Sequence, residues 1–277
     1  MDAAYRFYVG EFVCYTLCDG EHTYGQPADL LFPQAPASQL KRELYAQGIT
    51  DARSWESWTS TYSCLLVQAD DHNVLIDSGA GDFLPTAGRL IANLHTIGIE
   101  PEQIDDVLLS HAHPDHIGAA QCFTRARIIL NREEWRFWTG NPQLPRLPIE
   151  FREQLLTMIV PKLHSLQDRV ELISPCQQIL PGIEALDAAG HTPGHMAFSI
   201  KSQGEELLYI GDAILHLIHI NQPRWSARVD VVPQQAVKTR QKLLQYAAAA
   251  PATIFGFHFP FPGIRQIPRN DGRLQQS

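Results

Sequence analysis

Four side chains able to bind a divalent cation, His111, His113, Asp115 and His116, fall within the six residues His-Ala-His-Pro-Asp-His at 111–116. Imidazole nitrogens and carboxylate oxygens both bind hard to borderline divalent metals. A lone histidine is usually a core or surface residue. Three imidazoles and a carboxylate crowded together would repel one another or sit unsatisfied without a cation. The preceding stretch, 104–110, ends in aliphatic and β-branched residues and reads as a buried strand. The ligands therefore leave a strand end on a short loop, which Pro114 stiffens, and Gly118-Ala119-Ala120 fits the start of a helix.

Three other segments offer one further ligand each. His191 stands in Gly190-His191-Thr192-Pro193-Gly194-His195, after the strand-like stretch 183–187. Asp212 ends the apolar run 207–212, and His258 ends 252–258. Each would sit at the C-terminal end of a strand, where α/β folds gather their chemistry. Seven ligands in all fit two metal ions that share one carboxylate.

With these residues, and with Leu75-Ile76-Asp77-Ser78-Gly79-Ala80-Gly81, the chain resembles the metallo-β-lactamase superfamily of hydrolases over about residues 9–267. The resemblance implies an α/β fold, a four-layer αββα sandwich of two mixed β-sheets flanked by helices, as a single domain over 1–277. It implies one metal on His111, His113 and His191, a second on Asp115, His116 and His258, and Asp212 bridging them. Asp77 would orient a ligand imidazole from behind. The implied cofactor is two divalent metal ions, zinc first, with iron, manganese and cobalt also suited to imidazole and carboxylate.

A water or hydroxide bridging two such ions has its pKa lowered toward neutrality, so the expected nucleophile is a metal-bridging hydroxide attacking a carbonyl or phosphoryl centre. Asp115 and Asp212 are the expected catalytic carboxylates, each able to relay a proton.

The segments Tyr8-Val9-Gly10-Glu11-Phe12, Asp19-Gly20, Glu134-Trp135 and 256–263 resemble the branch that holds methyl parathion hydrolases and related lactonases. That branch implies an aromatic pocket beside the metals, with Trp135, Trp138, Phe259 and Phe261 as its candidates. Acyl-homoserine lactonases of the superfamily carry a tyrosine three positions after the bridging aspartate. Leu215 stands there in this chain, with His216 next to it as a residue behind the ligands. The expected substrate is a lactone or related ester, with organophosphate triesters as the alternative. A glyoxalase-II-like thioesterase would need a basic tail that is not apparent. A persulfide dioxygenase would use fewer ligands around one iron, and an oxygen-reducing di-iron protein a Glu where His113 stands. A non-enzymatic scaffold generally goes with lost ligands, and all seven are here.

Composition narrows the partners. A chain of 277 residues with 44% hydrophobic content can bury a sizeable core. A net charge of -8 argues against a nucleic-acid surface, which is normally basic. No apolar run reaches the length of a membrane span, and the first residues lack the layout of a signal peptide, so the cytoplasm is the expected location. The expected partner is a small ester or lactone. A homodimer is also open, with 21–60 as its contact or as a pocket lid. Cys14, Cys18, Cys64, Cys122 and Cys176 are scattered and odd in number, which argues against a disulfide framework.

Periodicity predicts an edge strand at 8–19 turning at Asp19-Gly20, and a hairpin of 61–68 with 72–77 around Asp70-Asp71. It predicts strands at 127–130 and 199–201, and helices at 38–47, 84–97, 132–139, 151–166 (interrupted near Pro161) and 233–249. Val237, Leu243, Leu244 and Tyr246 would be the inward face of the last helix.

Overall fold

Long alternating or fully apolar runs favour strands, and the chain uses them to build two mixed sheets. A computed structural model describes residues 3–49, 55–249 and 252–267. The first sheet runs in the order β1 (Ala4–Val9), β2 (Phe12–Gly25), β3 (Ser57–Ala69), β4 (His72–Ile76), β5 (Asp106–Leu108), β6 (Arg127–Asn131), β7 (Val170–Ile173). Its first four strands are antiparallel neighbours, and β4 to β7 are parallel. The second sheet begins with β8 (Gln177–Leu180), β9 (Ile183–Asp187) and β10 (Met196–Ser202), and ends with β11 (Glu205–Tyr209), β12 (Ala252–Phe255) and β13 (Ile264–Gln266), each beside the next. Only β11 and β12 pair in parallel there.

Strand alternation sorts the core into layers. Phe198, Ile200, Leu207, Tyr209 and Phe255 share one buried cluster with Leu17, Leu65, Val67 and Leu108 of the other sheet. Their sequence neighbours Ala197, Leu208 and Ile254 point the opposite way, into a second cluster with Leu243 and Ala247 of the last helix. Full burial of one such leucine is worth about 1.5–3 kcal/mol, so a one-residue slip of β11 would expose several of these contributions at once.

The helices are α1 (Pro27–Leu31), α2 (Ala37–Ala46), α3 (Leu90–Thr96), α4 (Pro114–Ile117), α5 (Arg132–Thr139), α6 (Ile149–Leu166), α7 (Ile218–Asn221) and α8 (Pro233–Ala249). The predicted helices at 38–47, 132–139 and 233–249 agree to within a residue or so.

Other expectations shift for identifiable reasons. The predicted strand 8–19 is a hairpin of β1 and β2, and β2 continues past Asp19 instead of turning there. Cys18 faces Ser63 and Gly20 faces Tyr62, so Asp19 is the extra residue of a β-bulge. Its carboxylate accepts the backbone N–H groups of Ala80, Gly88 and Leu90 at 2.9, 3.0 and 3.0 Å. Those bonds, with Pro85 and the positive φ of Gly88, hold 84–89 as a loop and delay α3 to Leu90. Helix α6 runs unbroken through Pro161, with Leu155, Ile159, Leu163 and Leu166 buried on both sides of it. On α8 the expected inward Tyr246 is exposed, whereas Arg240 is fully buried. No helix among the described residues is long and apolar enough to cross a membrane.

Candidate metal centre

The parallel strands of both sheets end at one rim, and the predicted ligands lie just beyond them. His111 to His116 follow β5, His191 follows β9, Asp212 follows β11 and His258 follows β12. Two groups of ligand atoms form there: His111, His113, His191 and Asp212 in one, Asp115, His116 and His258 in the other, each group within 4.8 Å of itself. His113 Nδ1 lies 2.9 Å from His111 Nε2 and 3.0 Å from His191 Nε2. Asp115 Oδ2 is 3.7 Å from His116 Nε2 and 3.5 Å from His258 Nε2.

Asp212 stands between the groups. Its Oδ2 is 3.6 Å from His111 Nε2, 3.2 Å from His191 Nε2 and 3.3 Å from His258 Nε2, and its Oδ1 is 3.3 Å from His116 Nε2. Ligand atoms on a tetrahedron with metal bonds of about 2.0–2.1 Å lie about 3.3 Å apart, so this spacing suits cations.

Two orphaned atoms carry the same demand. His116 Nε2 and Asp212 Oδ1 are buried and lack any hydrogen-bond partner, a costly condition that a cation between them relieves. The donor set therefore fits two divalent ions.

The opposite ring nitrogens are occupied, as ligand imidazoles require. His116 Nδ1 meets Asp77 Oδ2 at 2.7 Å, His191 Nδ1 meets Asp230 Oδ1 at 3.1 Å, His258 Nδ1 meets Ser60 Oγ at 2.9 Å and His111 Nδ1 meets Ser110 Oγ at 3.0 Å. Asp77 also accepts Ser110 N, Ser110 Oγ and Tyr209 Oη, each at 2.7 Å. It does so from a left-handed backbone conformation, φ +58°, a strain that recurs at functional sites. Burial and the neighbouring imidazoles hold His111 and His113 well below the ordinary imidazole range, so both keep free lone pairs. Burial likewise takes His195 down to about 3, and its Nε2 accepts Asp212 N at 3.0 Å. The chain fits close to that ring through Gly211, at φ +47°, where a Cβ would come within 2.7 Å of His195 Nε2.

Glu134 joins two ligand loops. Its Oε1 accepts Ala112 N at 2.9 Å and Trp138 Nε1 at 2.7 Å; its Oε2 accepts Thr192 Oγ1 at 2.6 Å and Gly194 N at 3.1 Å. A Cβ at Gly194 would lie 2.1 Å from Glu134 N, so only glycine permits that approach. Asp230 and Ser60 escaped the sequence reading, and Glu134 was noted there only beside Trp135, because the donors and loops they hold lie 22 to 198 residues away in the chain. The capping pattern at Asn131, whose side chain accepts Glu133 N, was a local signal that α5 starts here, but not that Glu134 turns inward.

Above the ligands opens a cavity of about 520 Å³. Asp115, Asp212, His113, His191 and His258 form its floor, and most of its wall is leucine, valine, methionine and phenylalanine. The aromatic residues expected there are elsewhere. Trp138 is buried with its ring 5.6 Å from that of His113, and Trp135 packs partly buried on the main core. Phe259 fills the second core cluster against Gly256, and Phe261 is half-buried outside the cavity. The aromatic walls are instead Tyr24, Trp58, Tyr62 and Phe151. Two of these, Tyr24 and Trp58, lie within 21–60, so that region contributes to the pocket wall; residues 50–54 within it lie outside the described residues.

His216 touches none of the ligands. Its ring sits among Phe32, Trp55 and Trp58, with centroids 5.7, 5.8 and 5.7 Å away, and burial lowers its pKa to about 4. The folded state therefore resists a proton that the unfolded chain takes up near pH 6.5. Its stabilising contribution is present above that pH and is lost as pH falls toward 4. Between pH 7.5 and 5 the loss is about 2 kcal/mol. Urea unfolding of wild type and His216→Phe at both pH values should show the variant losing less stability over that interval; equal losses would refute this.

A family model described as the metallo-beta-lactamase superfamily matches residues 59–258. The chain belongs to the metallo-beta-lactamase superfamily. Within it, an N-acyl homoserine lactonase of Bacillus cereus is 24% identical over 168 residues, 53% of this chain and 61% of its own length. The chain thus spans about three fifths of the length of the Bacillus relatives it matches. The N-acyl homoserine lactonase AiiB of Agrobacterium fabrum is 25% identical over 224 residues, 71% of this chain and 78% of its own. Among solved structures, AidC, a dizinc quorum-quenching lactonase in complex with a product, superposes with a TM-score of 0.86 at 27% identity, covering 95% of this chain and 92% of AidC. Hydrolase AbOPH gives 0.86 at 28% identity, covering 99% and 96%. The two mixed sheets with flanking helices are the superfamily's sandwich, as expected from the residues.

Proposed function

We propose that this chain is a dinuclear metal-dependent hydrolase that opens the rings of lactones bearing an apolar substituent, with zinc as the metal. One observation carries the reading: the two ligand groups floor an apolar cavity whose described lining contains no Ser, Thr, Cys or Lys. With no alkyl hydroxyl, thiol or amine nucleophile in that lining, and with its carboxylates and imidazoles placed as metal donors, water is the attacking group. His111, His113 and His191 would hold one ion, Asp115, His116 and His258 the other, and Asp212 both. Divalent cations bound there supply Lewis acidity and make water a nucleophile at neutral pH.

The protein's own contributions follow from the walls and the carboxylates. The apolar walls exclude solvent and hold a neutral, lipophilic substituent. Asp115, with its side chain 15% exposed, opens to the cavity and is suited to carry the proton from the attacking water to the ring oxygen. The water oxygen bonds to the carbonyl carbon, the ring C–O bond breaks, and a hydroxy acid results that releases a proton at neutral pH. The dizinc lactonase neighbour and the lactonase relatives support this reading.

The cavity's chemistry also argues against an anionic thioester. Its one arginine, Arg228, is already paired with Asp29. The stacked rings of Tyr24 and Trp58, with centroids 5.4 Å apart, favour aryl phosphotriesters as the second reading. Metal-loaded enzyme on a panel of acyl lactones, followed by acid release with an aryl phosphotriester run alongside, tests both. Fast acidification on lactones is expected. Phosphotriester cleavage with silence on lactones would move the assignment.

A further inference from the structure

Among the described residues that line the cavity, two carry a hydroxyl, Tyr24 and Tyr62, and their oxygens are 2.5 Å apart. The backbone sets this meeting. Beyond the bulge at Asp19, Tyr24 pairs with Trp58, His22 with Ser60 and Gly20 with Tyr62. His22 and Tyr24 on β2, and Trp58, Ser60 and Tyr62 on β3, are two-residue steps and so share one face of the sheet. Ser60 meets the ligand His258, and the ring of Tyr62 packs edge-on to the same imidazole, centroids 5.3 Å apart. The pair therefore stands at the His258 side of the ligand floor. Without the bulge, the β2 residues after Asp19 would change faces, and Tyr24 would turn away from Tyr62 and the cavity.

Two hydroxyls in contact use one hydrogen between them. The oxygen that accepts it keeps its own hydrogen, and neither hydroxyl has a further protein partner among the described residues. A phenol is a neutral donor at physiological pH. Donation from the first phenol polarises the second and strengthens its remaining O–H. The floor beside it presents imidazoles and carboxylates, so the free O–H is the hydroxyl donor facing the place where negative charge develops on a substrate oxygen.

We propose that Tyr24 and Tyr62 act as one donor unit, one phenol polarising the other, which gives a hydrogen bond to a substrate oxygen beside His258. No proton leaves either phenol; the O–H bonds stay intact while the substrate C–O bond breaks. The inference rests on the hydrolase reading above.

The test measures kcat, KM, bound metal and unfolding midpoint for wild type, Tyr24→Phe, Tyr62→Phe and the double variant, all metal-loaded, on one lactone. Wild type silent on every substrate is a failure of the hydrolase reading and is seen before any variant is compared. With wild type active, all variants should keep two metal equivalents and KM within about threefold. One single variant should lose about 10²–10³ in kcat, the cost of removing such a donor. The other, which removes only the polarising partner, should lose about tenfold or less. The double variant should be no worse than the more damaged single. Single variants within twofold of wild type overturn the proposal, as do losses that multiply in the double. Loss of metal or a collapsed midpoint in both single variants makes the pair a structural brace and also overturns it. Tyr24 is the less buried of the two, so Tyr24→Phe provides a folded variant if Tyr62→Phe fails.

Discussion

Asp212→Ala is expected to bind at most one metal equivalent and to lose about a thousandfold or more in turnover. Its two oxygens lie 3.2–3.6 Å from imidazole nitrogens of both ligand groups, so no other single residue serves both. Removing a residue that only orients a metal ligand costs 10–100-fold in affinity or activity, and a shared ligand must cost more. The substitution also leaves four imidazoles facing one another without the carboxylate between them. Asp212→Asn separates charge from shape: it keeps the volume but supplies a neutral group with one oxygen. Elemental analysis beside lactone turnover reads both effects. Two equivalents with full turnover in Asp212→Asn would refute the bridging assignment.

Glu134→Gln should be the most damaging conservative change outside the ligands, by about 2 kcal/mol. All four partners of Glu134 donate to it, and three of them, Ala112 N, Gly194 N and Trp138 Nε1, have nothing else to offer. An amide has one accepting oxygen. Its NH2 is best turned toward Thr192, whose hydroxyl can accept, and Gly194 N is then stranded in a buried site. A stranded buried donor costs about 1–3 kcal/mol. Glu134→Ala strands more of them and should cost about 4 kcal/mol. Burial pushes this carboxyl up and the four donors draw it back, so the change acts on a group that the fold has already worked to accommodate. Denaturant unfolding gives the stability. Metal affinity should fall in parallel, because Glu134 ties the loop of His111 and His113 to the loop of His191. An unchanged midpoint would show that this tie is dispensable.

The candidate ligands were legible because their signal is local. Four of them occupy six positions, and the other three each follow a short apolar strand, a pattern that survives without knowing which strands pair. The groups that hold the ligands had no such pattern. Asp230 meets His191 from 39 residues away, and Ser60 meets His258 from 198. Aromatic residues adjacent to the motifs were poor guides to the pocket, because neighbours in a strand or helix point to different faces. Trp138 and Phe259 turn into the core, whereas Tyr24, Trp58 and Tyr62 reach the cavity from a hairpin that carries none of the candidate metal donors, and whose Ser60 hydrogen-bonds His258. Helix α3 shows the same limit: its apolar spacing is real, but its start is decided by the Asp19 carboxylate, 71 residues from Leu90.

The superfamily, a candidate set of metal donors and their strand-end address were readable along the chain, since metal binding needs particular side chains at particular short spacings. Long-range packing was needed to reveal Asp230 and Ser60 behind His191 and His258, Glu134 between the two loops, and the residues of the cavity wall. Those depend on strand register, on one bulge at Asp19 and on contacts between distant segments, which local spacing does not encode.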